Sequence, residues 1–431
     1  MSALAWIAVC VFVAAYVLIA TEKINRVAVA LGGAAIMLAL GATDAEHAFF
    51  SEESGIDWNV IFLLLGMMLI VGVLKRTGLF EYVAIWAAKK ARGRPFPIMV
   101  ILIVVTGVVS AALDNVTTVL LVAPVTLLVC DRLGVPPVPF LIAEVLASNI
   151  GGTATLVGDP PNIIIASRSG LTFNDFLSVL APFAAIVLVV LVLLCRIMFR
   201  RAFRYDAERT AAVMALRERD AIRDPRLVVI SLGVLVAVLV AFTLHTLLGL
   251  EPSVVALLGG LLLLALSRLD ATEIARDVEW PTLVFFAGLF VMVGGLVTTG
   301  VIDELARGAI DAVGGELEPA TMLLLWASAG LSAIVDNIPY VATMSPIVAE
   351  LVNASGGLDR AQVLWWALAI GADFGGNATA VGASANVVVL GIAERAGHKI
   401  TFWGFTKYGL IVTVISVALA VPYLWLRFFT F

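Results

Sequence analysis

The sequence predicts an all-α polytopic membrane protein of two inverted five-span repeats, each with a re-entrant helical hairpin and a broken helix, or about ten spans plus two hairpins. Composition, the spacing of apolar runs and an internal repeat support this fold class. Hydrophobic residues make up 61% and charged residues 14% of the 431 residues, against about 45–50% and about 25% in soluble domains. With a mean hydropathy of +1.07, most of the chain must face lipid.

Apolar runs define the predicted spans, because a helix needs about 20 apolar residues to cross a hydrocarbon core of about 30 Å. Two runs, 138–167 and 361–394, are too long for one span and are interrupted by glycines, so each predicts a broken helix. The other runs lie at 3–21, 26–41, 59–74, 97–113, 116–130, 177–199, 227–248, 253–267, 281–297, 318–335, 339–352 and 408–427.

Two pairs of neighbouring runs predict helical hairpins at 97–131 and 318–352. The second arm of the first hairpin, 116–130, has 15 residues. As a helix it would rise only about 22 Å, which is short of the core. We therefore expect hairpins that enter and leave the membrane at the same face. Ordinary spanning pairs with polar tips in water remain the alternative, since two more crossings leave the parity of the chain unchanged.

The basic residues set the orientation, because cytoplasmic loops carry the excess of Lys and Arg. With both termini outside, all Lys and Arg residues fall in inside loops except Arg168, Arg307, Arg360 and Arg427. We call the predicted cytoplasmic side the basic face and the opposite side, whose loops are rich in Asp and Glu, the acidic face. The sequence thus predicts a multi-pass protein of the cell inner (plasma) membrane with a cytoplasmic linker at 200–226.

The two halves of the chain repeat one pattern. Trp58 matches Trp280 at an offset of 222, and the same offset places Asp114-Asn115 on Asp336-Asn337. The matching segments are 58–84 with 280–306, 111–125 with 333–347 and, at an offset of 224, 151–165 with 375–389.

These matches predict a first repeat at 1–199 and a second at 227–431. Each repeat has five crossings, and because five is odd, the second repeat is inverted relative to the first. Secondary transporters are commonly built from such repeats, with the binding site near the bilayer midplane. One sequence pattern can then supply both the inward and the outward gate.

The polar residues inside the apolar runs cluster at the hairpin tips and in the broken helices. Irregular backbone at membrane depth is tolerated only where it is buried in protein or lines a wet cavity, and intramembrane acids are functional by default. The predicted substrate- or ion-binding residues are Asp114, Asn115, Thr117 and Thr118 at the first tip; Asn149, Gly151, Gly152, Thr153, Thr155, Asp159 and Asn162 in the first broken helix; Asp336 and Asn337 at the second tip; and Asp373, Gly375, Gly376, Asn377, Thr379, Ser384 and Asn386 in the second broken helix.

A sodium ion is one predicted occupant, at Asn115, Asn337 and the loops 151–155 and 375–379. Close helix packing is the alternative role for the glycines, and a structural hydrogen bond is the alternative for Glu144. The sequence has no phosphate-binding loop, and no serine of the breaks has a histidine beside it. We therefore expect no catalytic residues, no enzyme activity and no cofactor other than a coupling H⁺ or Na⁺.

The strings ALDNVTTVLLVAPV, NIGGTATLVGDPPN, DNIPYVATMSPI and GADFGGNATAVGASAN resemble the ion transporter superfamily, in the branch of arsenite permeases and the melanosomal P protein. Sodium/proton antiporters and sodium-coupled dicarboxylate transporters are more distant members. The resemblance covers nearly the whole chain and implies two inverted repeats whose hairpin tips and broken helices hold ion and substrate. In the dicarboxylate relatives the tip reads Ser-Asn-Thr, whereas here Asp114 and Asp336 replace the serine, which disfavours a dianion.

These observations predict a secondary active transporter working by alternating access. The first hypothesis is proton-coupled arsenite or antimonite efflux; the alternatives are a sodium/proton antiporter and a sodium-coupled anion transporter of the dicarboxylate type. The predicted partners are a small inorganic solute or ion, the lipid bilayer, a second copy in a homodimer and a separate ATPase. No nucleic-acid partner is expected, because the net charge is only −5.

Overall fold

The structure is a computed structural model that describes residues 2–21, 24–51, 53–203, 214, 217–313 and 316–430. Across those ranges the chain forms 21 α-helices. In the first half they are α1 Ala3–Ala20, α2 Arg26–Ala39, α3 Ala45–Phe50, α4 Trp58–Lys75, α5 Leu79–Lys90, α6 Pro95–Ala112, α7 Asn115–Leu133, α8 Val138–Gly152, α9 Pro160–Ser169 and α10 Phe173–Met198. In the second half they are α11 Pro225–Leu248, α12 Pro252–Ser267, α13 Ala271–Asp277, α14 Trp280–Thr298, α15 Val301–Val313, α16 Leu317–Ser332, α17 Asn337–Ala354, α18 Leu358–Ala361, α19 Val363–Gly375, α20 Ser384–Arg395 and α21 Phe402–Phe428.

Eight of the described helices are long and apolar enough to cross a membrane, and four more apolar helices, α2, α8, α12 and α19, are shorter. The predicted all-α, multi-pass fold is confirmed. Of the predicted linker, residues 204–213, 215 and 216 lie outside the described residues. At its end, Lys89 Nζ lies 2.6 Å from Glu218 Oε2 and joins the linker to α5.

The second arm of the first hairpin is longer than the sequence indicated. Helix α7 continues past the apolar run to Leu133 and has 19 residues, so the argument from a 15-residue arm is wrong. That argument assumed that the helix ends at the first charged residue after the apolar run. In the structure the helix ends at Gly134, whose φ of 63° residues other than glycine rarely adopt. The tip of the hairpin ends inside the protein, where Asn115 is buried.

Both repeats pack in the same way. Helix α6 packs on α8 and its counterpart α16 on α19, so that the first arm of each hairpin lies along the first half of the broken helix. The second arms are exchanged between repeats, with α7 on α20 and α17 on α9. We call the two hairpins and two broken helices the core group. Helices α2, α4, α12 and α14, which pack as α2 on α14 and α4 on α12, are the scaffold helices.

Candidate functional site

Asp159 lies where both hairpin tips meet the first broken helix. It precedes α9, its side chain makes no capping bond, and it is fully buried. Asn115 Nδ2 donates to Asp159 Oδ2 at 2.9 Å, and Asn337 Nδ2 lies 3.4 Å from both carboxylate oxygens. Since Asn115 and Asn337 are equivalent residues of the two repeats, both hairpins converge on one carboxylate.

The two broken helices meet through their asparagines. Asn149 Nδ2 donates to Asn377 Oδ1 at 3.0 Å and to Asn386 Oδ1 at 3.1 Å. Asn149 Oδ1 in turn accepts from Asn115 Nδ2 at 3.2 Å. All of these side chains are buried. The amides therefore form one network across the repeat interface, and this network presents several hydrogen-bonding groups within a small volume.

Asp373, the second acid of the broken helices, is fully buried, and neither of its carboxylate oxygens has a hydrogen-bond partner among the described residues. Its polar neighbours are Thr153 and Asn162 of the opposite repeat. Asn162 donates to the Thr155 carbonyl at 3.0 Å, while Asn162 Oδ1 also has no partner among the described residues. Unpaired buried oxygens are expensive, so this corner suits a proton or a small cation.

The two acids of the broken helices occupy non-equivalent positions. At the offset of 224, Asp159 corresponds to Ala383 and Asp373 to Asn149. Each repeat therefore supplies one carboxyl group, from the second half-helix in one case and the first in the other. Asp373 and Asp159 interact electrostatically. A change in the charge of one acid therefore affects the other.

The tip acids have a structural role as well. Asp114 caps α7 by accepting from the Thr117 N–H at 2.8 Å and from Thr117 Oγ1 at 2.5 Å. Asp336 caps α17 by accepting from the Ile338 N–H at 3.1 Å, and it accepts from Ser384 Oγ at 2.5 Å. Both acids lie at the edge of the buried network. Thr118, also predicted, is fully buried.

Two predicted threonines face the walls of the site. Thr155 Oγ1 donates to the Ala111 carbonyl and Thr379 Oγ1 to the Ala333 carbonyl, each at 2.6 Å. These equivalent bonds tie each break to the first arm of its own hairpin. They position the loops, and neither hydroxyl points at the central network.

The predicted glycines serve close backbone contacts. A Cβ at Gly151 would lie 2.1 Å from the Gly107 carbonyl oxygen, and one at Gly375 would lie 2.6 Å from the Ala329 carbonyl oxygen. Across the two breaks, Gly152 lies against Gly158 and Gly376 against Gly382. These contacts agree with the alternative role of the glycines, which is to allow close packing of the helices.

The sodium prediction stays a prediction. The amide nitrogens of Asn115 and Asn337 face Asp159, as described above. Within the described ranges there is no group of three or more His, Cys, Asp or Glu residues that could hold a metal ion. A monovalent cation needs fewer charged ligands, and the unpaired oxygens of Asp373 and Asn162 are the donors that would suit it.

Sequence reasoning missed Arg26. A cavity of about 420 Å³ is lined by Arg26, Glu279, Asp336 and Ser384. Arg26 Nη1 donates to Ser384 Oγ at 2.8 Å. It is the first residue of α2, and a lone arginine at the start of an apolar helix was the available signal. This cavity reaches the second hairpin tip from the basic face.

At the acidic face the core group is tied to the scaffold. Ser167 Oγ donates to Asp57 Oδ2, and Arg168 Nη1 donates to the Glu53 carbonyl at 2.6 Å. Asp57 also caps scaffold helix α4. The residue equivalent to Asp57 in the second repeat is Glu279, which lines the cavity of the basic face. A cavity of about 590 Å³, lined by Asn59, Ser167 and Ser253, also lies at the acidic face. Each face therefore has a cavity that a contact between the core group and the scaffold crosses.

The family model described as "Citrate transporter" (CitMHS) matches residues 16–371. The chain belongs to this family. An uncharacterized transporter of Mycobacterium tuberculosis is 58% identical over 98% of each chain. The human P protein is 33% identical over 97% of this chain and 59% of its own length. The predicted membership in the ion transporter superfamily, with the P protein among its relatives, is therefore confirmed.

Among solved structures, the YdaH transporter of Alcanivorax borkumensis matches with a TM-score of 0.61, covering 85% of each chain at 16% identity. At that identity the match concerns the fold alone. Membership in the CitMHS family makes this multi-pass membrane protein a transporter. The description of the family model and the name of the mycobacterial relative are both those of transporters.

Proposed function

We propose that this CitMHS-family transporter exports arsenite or antimonite in exchange for protons, by alternating access. The observation that carries the proposal is the charge of the site. Four acids surround the amide network: Asp114, Asp159, Asp336 and Asp373. Among the described residues, Arg26 is the single basic side chain near these acids, and it contacts Ser384 and Asp336 at the rim. Such a site repels a multiply charged anion and suits a neutral cargo.

The amide network supports recognition of a hydroxylated solute. Arsenous acid is uncharged at neutral pH and presents three hydroxyl groups. Amide and carboxylate oxygens can accept from these hydroxyls, and the amide N–H groups can donate to them. A buried polar site of this kind rejects molecules that cannot satisfy its groups. The free cysteines Cys10, Cys130 and Cys195 form no thiol cluster, so recognition would be through oxygen.

Coupling is assigned to the acids, because a carboxyl group can take up a proton on one side of the membrane and release it on the other. The cavity on the basic face, predicted to be cytoplasmic, would admit the solute from the cell interior. The contacts of Ser167 and Arg168 would then have to open to release it. The plasma-membrane location, the homodimer and the ATPase partner stay predictions.

Sodium/proton exchange is the second candidate, and a specific observation favours it. The two carboxylate oxygens of Asp373 and the amide oxygen of Asn162 are buried without partners among the described residues. A dehydrated monovalent cation would satisfy them. In that case the transported species would be the ion itself, and no other solute would be needed.

The deciding experiment uses the purified protein in proteoliposomes with imposed pH and sodium gradients. We expect arsenite flux that follows the pH gradient, and no flux of succinate or citrate. Sodium/proton exchange without arsenite would replace the first candidate with the second. Citrate or succinate uptake would overturn both, and flux independent of any counter-ion gradient would indicate a channel.

Replacing both tip acids separates coupling from folding. Asp114→Asn with Asp336→Asn keeps two good N-cap side chains, since Asn caps helices about as well as Asp. We expect the melting temperature to change little and proton-driven transport to fall at least about tenfold, because two ionisable groups are lost. The matched control is Asp224→Asn, which alters the exposed N-cap of α11. Unchanged proton-driven transport in the double variant would remove the coupling assignment.

A further inference from the structure

Arg26 connects the scaffold to the core group. Its Nη1 donates to Ser384 Oγ at 2.8 Å and lies 4.0 Å from Asp336 Oδ2. Ser384 Oγ donates to the same carboxylate oxygen at 2.5 Å. The guanidinium carbon is also 5.4 Å from the centre of the Phe285 ring. Arg26 therefore reaches Asp336 through a serine, while its guanidinium group also lies beside an aromatic ring of the scaffold.

The two ends of this contact belong to different groups of helices. Arg26 begins α2, which packs on α14, and Phe285 lies on α14. Ser384 begins α20 and Asp336 is the tip of the second hairpin, both in the core group. Any displacement of the core group against the scaffold that separates Asp336 from α2 must break this contact.

The inverted repeat has no such arginine at the other face. The equivalent first residue of α12 is Pro252, and beside it Ser253 Oγ donates to Asn59 Oδ1 at 2.8 Å. That pair is neutral and joins two scaffold helices. Among the described residues, a basic side chain near a hairpin-tip acid is therefore found at the basic face and has no equivalent at the acidic face.

We propose that Arg26 is a tethered counter-ion that senses the charge of Asp336, an inference that rests on the proposed coupling role of the tip acids. While Asp336 is ionised, Arg26 attracts it and holds the core group toward the basic face. A proton or sodium ion that neutralises Asp336, or a solute hydroxyl that donates to its carboxylate in place of Ser384 and Arg26, breaks the contact and releases the core group. Only the loaded transporter then moves freely, which prevents movement of the empty, ionised carrier. Arg26 is thus a positioning residue.

Other ionisable groups also face Asp336, and the test must distinguish their effects from that of Arg26. Asp159 and Tyr16 interact with its charge. Glu279 lines the same cavity, and Asp114 lines a smaller cavity that Arg26 and Glu279 share. All of these are acids or a phenol, so Arg26 supplies the positive charge among the described groups near Asp336.

The test measures the openness of the basic-face cavity without any cargo. Val387 lines that cavity and is exposed, so Val387→Cys in a Cys10→Ser background reports access to a water-soluble maleimide. Lys399→Cys, at an exposed site, corrects for the reactivity of the thiol itself. The full-length protein in lipid nanodiscs is labelled at about pH 5.5 and about pH 8.5.

We expect the corrected rate to be at least about threefold higher at the higher pH, because ionised Asp336 holds Arg26 and keeps the cavity open. In R26Q this dependence is expected to disappear, with the rate remaining at its low-pH value. R26K should retain it in part. D336N should abolish it, and R26Q added to D336N should have no further effect. Lys407→Gln, which removes another exposed cation, should behave as the parent protein.

A parent protein without pH dependence, or an R26Q variant that keeps the full dependence, overturns the proposal. If R26Q does not fold, R26K and D336N test the same contact. A pH dependence that R26Q removes, in a protein that carries no arsenite in proteoliposomes, supports the sensor and rejects the arsenite assignment. Failure of the Arg26 proposal can therefore be distinguished from failure of the arsenite assignment.

Discussion

Asp159→Asn is expected to reduce proton-driven transport at least about 100-fold. The carboxylate accepts from the amides of both hairpin tips, and hydrogen bonds to a charged group are worth about 1.5–3 kcal/mol each. An asparagine of the same size has one acceptor oxygen, and its amide nitrogen would face another amide nitrogen. One such contact is lost and the other no longer involves a charged group, and together these changes cost about 3 kcal/mol. That corresponds to a factor of about 100 or more, since 1.4 kcal/mol is tenfold.

The measurement is initial flux in proteoliposomes at matched protein content. Asp131→Asn is the control, because it makes the same chemical change at an exposed position near the end of the first hairpin. It should leave flux within about twofold of the parent. Asp159→Asn with near-parent flux would show that the two tips do not depend on this carboxylate, and the central position assigned to Asp159 would be wrong.

Gly151→Ala is expected to destabilise the protein by about 3 kcal/mol or more, at the upper end for overpacking. The added Cβ would lie 2.1 Å from the Gly107 carbonyl oxygen and 2.5 Å from the Gly107 Cα. Both atoms belong to the backbone, so no side chain can move aside. Helix α8 would have to separate from α6 and would carry the amide network with it.

Thermal unfolding in detergent measures this effect, with an expected fall in melting temperature of at least about 3 °C. Gly330→Ala on α16 is the matched control, since nothing lies within 4 Å of its added Cβ. In a helix, alanine is favoured over glycine by up to about 1 kcal/mol, so this variant should be as stable as the parent or more so. Equal melting temperatures for both variants would contradict the close crossing at Gly151.

Much of the fold could be predicted from the sequence because hydrophobic runs and duplicated motifs are local signals. The runs indicated the helices, and the pairing of Asp114 with Asp336 indicated the repeat. The ends of the helices were harder to predict from the sequence. The second arm of the first hairpin passes through the charged residues Asp131 and Arg132 before it ends at Leu133, and a count of apolar residues stops too early.

The sequence indicated which residues form the site, but it did not indicate how they are arranged. Asparagines and acids in the breaks were evident, but their partners depend on packing between repeats. The exchange of second arms brings Asn337 of one repeat to Asp159 of the other. No pattern within either repeat contains that contact. Arg26 was missed for the same reason, because its partner Ser384 lies 358 residues away.

A cryo-EM structure of the protein in lipid nanodiscs, at a resolution that shows side chains, tests the central claim most directly. The account predicts that the Asn115 and Asn337 amides both approach the Asp159 carboxylate in the middle of the lipid slab, near the distances of 2.9 Å and 3.4 Å described here. Two hairpin tips exposed to water at opposite membrane surfaces, each far from Asp159, would contradict it.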